Sequence, residues 1–321
     1  MKFESVDERT KYIFKNTEFF KIYSRNEVGS GDDYKKLIAE QTFVYSTITD
    51  SSRVILNNNI FKTPKLHSID EIFTQFYNLN PPFILRYKKD INDYYKLTTL
   101  RHTEYVYGSR WNEFNQFDNV INILTDRLDS KRAVVAIYTP YDTINDRNDV
   151  PCTLLYHFLI RNDKLNMFVA FRSHDLFAGY KTDYVLSSFV LHFLAKILSL
   201  KKEISIIPGE IYFYESSLHY YPFRVKKSFD EMLNSFNNNN FIFQPFTNTD
   251  YKNVDEMNDD LKYLKLSEEA AYSGAFDTSR EFIARIKDLE LQDIAKYLYN
   301  LNIKIHNANI NKFEYNNKFY Y

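Results

Sequence analysis

The sequence predicts an α+β fold: a mostly antiparallel sheet with a long buried helix, followed by a helical carboxy-terminal extension. Three observations carry this. Residues 154–160 and 165–171 are apolar runs separated by Arg161-Asn162-Asp163-Lys164, which reads as a β-hairpin. Residues 183–200 are rich in Val, Leu and Phe on most faces, as expected of a helix covered on all sides. At Lys226 the character changes, and residues 267–303 read as largely helical. The expected division is a core of residues 1–225 and an extension of residues 226–321.

The elements follow in order. Residues 1–24 read as an amphipathic helix or arm carrying Tyr12, Phe14, Phe19, Phe20 and Tyr23. Gly29-Ser30-Gly31-Asp32-Asp33 is a turn, and residues 43–48 and 52–56 are β-like, the second ended by Asn57-Asn58-Asn59. Residues 69–77 form a short buried helix, closed by Pro81-Pro82. Phe117, Val120, Ile121, Ile123, Leu124 and Leu128 have helical spacing, and residues 133–138 are a fully apolar strand. Residues 203–207 and 211–214 read as two further strands. Residues 237–240 are a polar loop, and residues 307–321 are polar and aromatic.

Composition sets limits on function. The 321 residues are 44% apolar, enough for a sizeable core. A formal net charge of -1 argues against bulk electrostatic binding of a nucleic acid polymer or an anionic membrane. One cysteine excludes an intrachain disulfide framework and fits a reducing compartment. No apolar stretch reads as long enough to span a bilayer, and Met1-Lys2-Phe3-Glu4-Ser5 lacks a signal-peptide core, so a cytoplasmic protein is expected. The excess of Tyr and Phe runs through the whole chain, as coding bias does, and is given no stacking role. No Walker-type loop, dinucleotide glycine fingerprint or metal-ligand spacing appears.

The lone cysteine is the candidate centre. Cys152 stands in Asp149-Val150-Pro151-Cys152-Thr153, and Arg172-Ser173-His174-Asp175-Leu176-Phe177-Ala178-Gly179 follows after a further hairpin's length of chain. Cysteine alone is as readily a small buried hydrophobe. Arginine and serine brought beside it would instead suit a thiolate attacking an anionic substrate.

These residues resemble the thymidylate synthase family. The resemblance spans residues 25–224 and is densest between Tyr105 and Tyr221. Five blocks stand in family order: Tyr105-Val106-Tyr107-Gly108-Ser109-Arg110-Trp111, Ser130-Lys131-Arg132, Val150-Pro151-Cys152, the Arg172–Gly179 block with Asp183, and Ser216-Ser217-Leu218-His219-Tyr220-Tyr221. The resemblance implies a thymidylate synthase-like fold and one-carbon transfer to C5 of a pyrimidine nucleoside monophosphate, with 5,10-methylenetetrahydrofolate as donor. It implies Cys152 as nucleophile, with Glu71 and Tyr107 organising water and proton transfer. Arg172, Ser173 and Arg25 would bind the phosphate. So would Lys131 and Arg132 from the other subunit of a homodimer. His219 and Tyr221 would hold the sugar, and Asp175, Gly179 and Phe177 would belong to the folate pocket.

The sequence also departs from the family. Glu27 stands where an early phosphate arginine is usual, with Arg25 two residues back. Lysine replaces arginine at Lys131, Phe171 replaces a glutamine, and His174 replaces a small residue. The carboxy terminus does not resemble the family's closing tail. Asp183 stands where thymidylate synthases carry asparagine. An asparagine amide can donate to O4 and accept from N3–H of uracil, whereas a carboxylate only accepts. A carboxylate suits the N4 amino group of cytosine, and aspartate here resembles the deoxycytidylate hydroxymethylases.

Plainer roles stand beside these. Asp183 could cap the following helix. Lys131 and Arg132 could be a solvated helix end. His219 could be an ordinary half-buried histidine, and His174 a structural one. The functional expectation is hydroxymethylation of deoxycytidylate. The alternatives are methylation of deoxyuridylate and a catalytically degenerate relative that binds a nucleotide or a partner.

Overall fold

The computed structural model describes residues 1–24, 36–56, 64–77, 107–144, 150–222, 225, 227–236 and 241–307. The expected turn at residues 29–31, Pro81-Pro82, the loop at 237–240 and residues 308–321 lie outside these.

Among the described residues, eight strands form one sheet in the order β1-β3-β8-β6-β5-β4, with β2 added on β3 and β7 on β8. They are β1 (Lys2–Phe3), β2 (Phe20–Ser24), β3 (Lys36–Ile48), β4 (Val134–Ala136), β5 (Thr153–Arg161), β6 (Lys164–Phe171), β7 (His174–Asp175) and β8 (Ile207–Tyr220). The hairpin read from the sequence is β5–β6, antiparallel from Arg161↔Lys164 to Thr153↔Phe171. Its turn residues Asn162 and Asp163 both have positive φ, at 51° and 59°, which Asn and Asp tolerate better than most residues. The sheet is mixed, because β8 runs parallel to β6 and antiparallel to β3.

The amino-terminal segment divides into a helix, α1 (Val6–Asn16), and strand β2. Residues 52–56 are not a strand. The Asp50 carboxylate accepts from Ser52 N at 3.0 Å, Ser52 Oγ at 2.6 Å and Arg53 Nε at 2.9 Å, and so folds the chain into a local turn. The short buried helix is α2 (Pro64–Glu71), continued by a π-helical turn, Ile72–Phe76. It is followed among the described residues by α3 (Tyr107–Asn112), α4 (Gln116–Asp126) and α5 (Tyr141–Ile144).

The two strands expected at 203–207 and 211–214 are one, β8. Between the pairs Leu165↔Pro208 and Met167↔Ile211, β8 uses one more residue than β6, so a bulge at Gly209 and Glu210 lets the strand run on unbroken. Asn166 Oδ1 there accepts from Glu210 N at 2.9 Å. A Cβ on Gly209 would lie 2.5 Å from that same oxygen and 2.9 Å from Leu165 O, so only glycine permits the close approach.

The long helix α6 (Tyr180–Lys202) crosses the sheet, with Tyr184 packed on Phe213 of β8. It ends at Glu203 in the left-handed conformation, with Lys201 and Lys202 in its last turn. Contrary to the sequence expectation, α6 is long and apolar enough to cross a membrane by length and composition; here 78% of its most apolar window is buried inside the fold. The short helix α7 (Phe229–Leu233) packs on α1, with Phe229 stacked on Phe14 at 4.8 Å, and three longer helices follow, α8 (Val254–Tyr272), α9 (Phe276–Arg285) and α10 (Leu289–Asn307). The segment leading into these helices joins the core through Phe246, which packs against Phe189 and Phe193 of α6. Tyr77 OH donates to Leu261 O at 2.7 Å, and Lys196 Nζ to Thr249 O at 2.6 Å.

Candidate active site

The hairpin places the chemistry. Cys152 directly precedes β5 and Arg172 directly follows β6, and the last strand pair, Thr153↔Phe171, brings them side by side. Arg172 N donates to Cys152 O at 2.9 Å. The guanidinium turns back over the same loop, with Nε donating to Pro151 O at 2.9 Å and Nη2 to Val150 O at 2.8 Å. A fixed positive charge therefore stands beside the loop that carries the chain's only thiol. The Nη1 edge is not used by these bonds and suits an anion. Ser173, half-buried, is next in the chain.

Strand β7 then pairs in parallel with the end of β8, His174↔Leu218 and Asp175↔His219. This register brings the Arg172 block to His219 and Tyr221. The rings of His219 and Tyr221 meet edge to face at 5.5 Å. Ser217 Oγ lies 3.4 Å from His219 Nδ1 and donates to Glu40 of β3. Burial pushes the His219 imidazole below its usual range, and the Asp175 charge opposes that only in part. A neutral ring can both donate to and accept from a sugar hydroxyl.

Tyr107 opens α3 and is held by a 2.5 Å bond from its backbone N–H to Gln75 Oε1. Its phenol lies among Asp183, Cys152, Tyr156 and Thr153; desolvation, then the Asp183 and Cys152 charges, push it well above its usual value. The phenol stays protonated and can serve as a donor beside the thiol.

Asp183 is not a cap. Helix α6 starts at Tyr180 with Gly179 as its N-cap, so Asp183 sits one turn inside. Its Oδ2 lies 3.2 Å from His174 Nε2. On the other side of that ring, His174 Nδ1 donates to Glu215 Oε1 at 2.7 Å. A Cβ on Gly179 would stand 2.7 Å from Asp183 Oδ2, so glycine leaves room for the carboxylate. Gly179→Ala is therefore expected to displace the Asp183 carboxylate while leaving the helix intact, because φ at 179 is an ordinary −65°. The melting temperature should change little by thermal denaturation, while the ring resonances of His174 shift as its carboxylate partner moves.

The remaining predicted residues fall as follows. Asp175 Oδ1 accepts from Phe177 N at 2.9 Å, and its carboxylate is half-buried. Phe177 itself is turned into the core, stacked on Phe14 at 6.1 Å and edge-on to Tyr220 at 5.8 Å. Glu71 is the last residue of α2, and only its backbone is described. Arg25 and Glu27 lie outside the described residues. Lys131 and Arg132 are exposed just before β4, where Lys131 O faces His157 Nε2 at 3.1 Å. From Cys152 to His157 is five positions along β5, about 17 Å at strand spacing. Within one chain the pair therefore does not reach the Cys152 loop.

The sheet face away from α6 carries apolar rows. Tyr45 pairs with Tyr214, and Phe168 lies between Tyr212 and His157, with Val134 beyond. Phe43, at a φ of 54°, is 71% exposed and Tyr45 46% exposed.

The family model described as thymidylate synthase matches residues 57–308, across the expected boundary at 225. A Methanosarcina mazei protein with a thymidylate synthase name is 35% identical over 124 residues, 37% of this chain and 53% of its own. The deoxyuridylate hydroxymethyltransferase of Bacillus phage SP01 is 34% identical over 114 residues, 35% of this chain and 28% of its own. The chain thus spans about half, or less, of the length of these relatives. The crystal structure of phage T4 thymidylate synthase superposes with a TM-score of 0.47 and 16% identity, over 68% of this chain and 77% of that one.

Proposed function

The chain belongs to the thymidylate synthase family, and from that premise we propose that it transfers a one-carbon unit to C5 of a pyrimidine nucleoside monophosphate, with deoxycytidylate hydroxymethylation as the specific reaction. The observation that carries the reading is the meeting of Cys152, Arg172, Tyr107 and Asp183 at one end of the β5–β6 hairpin.

In this reading the Cys152 thiolate forms a bond to C6 of the ring. The C5–C6 double-bond pair moves toward C4 and N3, and C5 becomes the carbon nucleophile. Water takes up and returns protons, and the protonated Tyr107 phenol orients it by donating a hydrogen bond. Arg172 Nη1 and Ser173 bind the phosphate, and His219 and Tyr221 the sugar hydroxyl. The Asp183 carboxylate accepts from the N4 amino group. Facing the O4 of uracil it would set acceptor against acceptor, which favours cytosine.

Methylenetetrahydrofolate, the donor in this family, would supply the carbon at the formaldehyde oxidation level. The half-buried Asp175 carboxylate suits the donor edge of its pterin, and Ala178 and Gly179 beside it add no bulk. Phe177, being core, is given no part in that contact. When water ends the reaction, the ring gains a hydroxymethyl group, Cys152 leaves, and the folate is not oxidised. Release of tritium from C5-labelled deoxycytidylate, but not from deoxyuridylate, tests the base. Formation of dihydrofolate would contradict hydroxymethylation, because only the methyl product oxidises the carrier.

We further propose a homodimer joined through the apolar sheet face, which would carry Lys131 and Arg132 to the phosphate of the facing subunit. Their separation from Cys152 in one chain, and the exposed Tyr45 and Phe43, support this reading. Mixing inactive Cys152→Ala and Arg132→Ala proteins should restore activity to roughly a quarter of wild type, since random pairing gives half heterodimers with one intact site each. No recovery after subunit exchange would mean that each chain builds its site alone.

A further inference from the structure

Four charged side chains from three distant segments line up behind the candidate base site. Arg9 of α1 donates through Nη2 to Glu215 Oε2 of β8 and through Nη1 to the Tyr184 hydroxyl. Glu215 Oε1 accepts from His174 Nδ1, and His174 Nε2 faces Asp183 Oδ2. Arg9 and His174 are each 1% exposed, Glu215 0% and Asp183 9%. Unpaired charges at such depth would be severely destabilising, so the row must be close to neutral overall. With Arg9 and His174 positive and Glu215 and Asp183 negative, it is.

The ring is fixed as well as charged. His174 stacks on Phe171 at 4.2 Å and 9°, so the two departures from the family pattern in this block are one packed unit. The Nε2 atom is buried and finds no well-aligned acceptor within the protein; its 3.2 Å contact with Asp183 is ionic rather than a straight hydrogen bond. That leaves the carboxylate attracted but not saturated. Arg9, which anchors the row, lies outside the segment matched by the family model.

We propose that His174 is a positioning residue for Asp183: an imidazolium clamped by the Glu215–Arg9 pair that holds the Asp183 carboxylate in place, and so sets the preference for an amino over a carbonyl group at position 4 of the pyrimidine. The selectivity rests on the nucleotide reading above; the clamp does not. The titratable groups around the ring are Glu215 from β8, Asp183, Tyr180 and Tyr184 from α6, and Arg9 from α1, with His219 further along β8. Burial alone would lower the His174 pKa, but the close contacts with the Asp183 and Glu215 carboxylates outweigh it and raise the pKa.

Two measurements on the full chain test this. Nitrogen-15 spectra of histidine-labelled protein, with His174 assigned by its loss in His174→Gln, should show both ring nitrogens protonated at neutral pH. In Glu215→Gln the ring should become neutral. A neutral His174 in the wild type overturns the clamp, whatever the protein binds. Calorimetric titration should then give deoxycytidylate an advantage over deoxyuridylate of at least about 30-fold in the wild type and about threefold or less in His174→Gln. An unchanged ratio in that variant, with both nucleotides still bound, overturns the positioning role and leaves the nucleotide reading standing. Binding of neither nucleotide by the wild type overturns the nucleotide reading and the selectivity with it.

Discussion

Asp183→Asn is expected to reverse the base preference. The amide offers a donor to O4 of uracil and an acceptor to N3–H, and it opposes its own donor to the N4 amino group of cytosine. Each mismatched polar contact in a closed site costs about 1–3 kcal/mol. Catalytic efficiency with deoxycytidylate should therefore fall roughly 10- to 100-fold, and with deoxyuridylate rise by a similar factor, measured as tritium release from each C5-labelled nucleotide. The variant also removes the negative charge that faces His174 Nε2, so the reversal should come with loss of the ring's second proton. Unaltered preference would mean that Asp183 does not face the base.

The second large effect is that of the nucleophile. Cys152→Ala should reduce turnover at least about 10⁴-fold, because no other group can form the bond to C6 that makes C5 reactive. Nucleotide affinity should stay within about threefold of wild type, since the phosphate and sugar contacts come from Arg172, Ser173, His219 and Tyr221. Stopped turnover with intact binding, read by calorimetry, marks a covalent role. If Cys152→Ser instead keeps full biological function, the protein acts by binding, as a degenerate relative would.

These outcomes depend on two kinds of placement, and only one was legible in the sequence. Cys152 and Arg172 could be brought together on paper, because a hairpin with an Asn-Asp turn necessarily returns its two ends to the same edge. Parallel pairing of β7 with β8 was less evident, because the expected strand ended at residue 214, short of Leu218 and His219. A bulge at a glycine is a tertiary accommodation, and local propensity does not contain it.

The charged row behind Asp183 was not legible at all. Arg9 and Glu215 are 206 positions apart, and nothing local couples them. Arg9 falls in the expected amphipathic helix, and Glu215 lies just past the strand expected at residues 211–214. A signal was nevertheless present. Phe171 and His174 depart from the family pattern together, three residues apart, and Glu215 directly follows the apolar and aromatic run at residues 211–214. A buried histidine needs a partner on each nitrogen, so the substitution at 174 called for acids elsewhere in the core. The same logic separates the two readings of Asp183. Helix capping would need its oxygen on a backbone N–H, whereas the structure turns it to an imidazole.

The central claim is that this site adds a one-carbon unit to C5 of a cytidine nucleotide. It is tested most directly by the mass of the product formed from methylenetetrahydrofolate and a panel of pyrimidine nucleoside monophosphates. The expected product is a hydroxymethyl group on deoxycytidylate, dependent on Cys152 and formed without dihydrofolate. A methyl group on deoxyuridylate, or no product from any pyrimidine nucleotide, would contradict it.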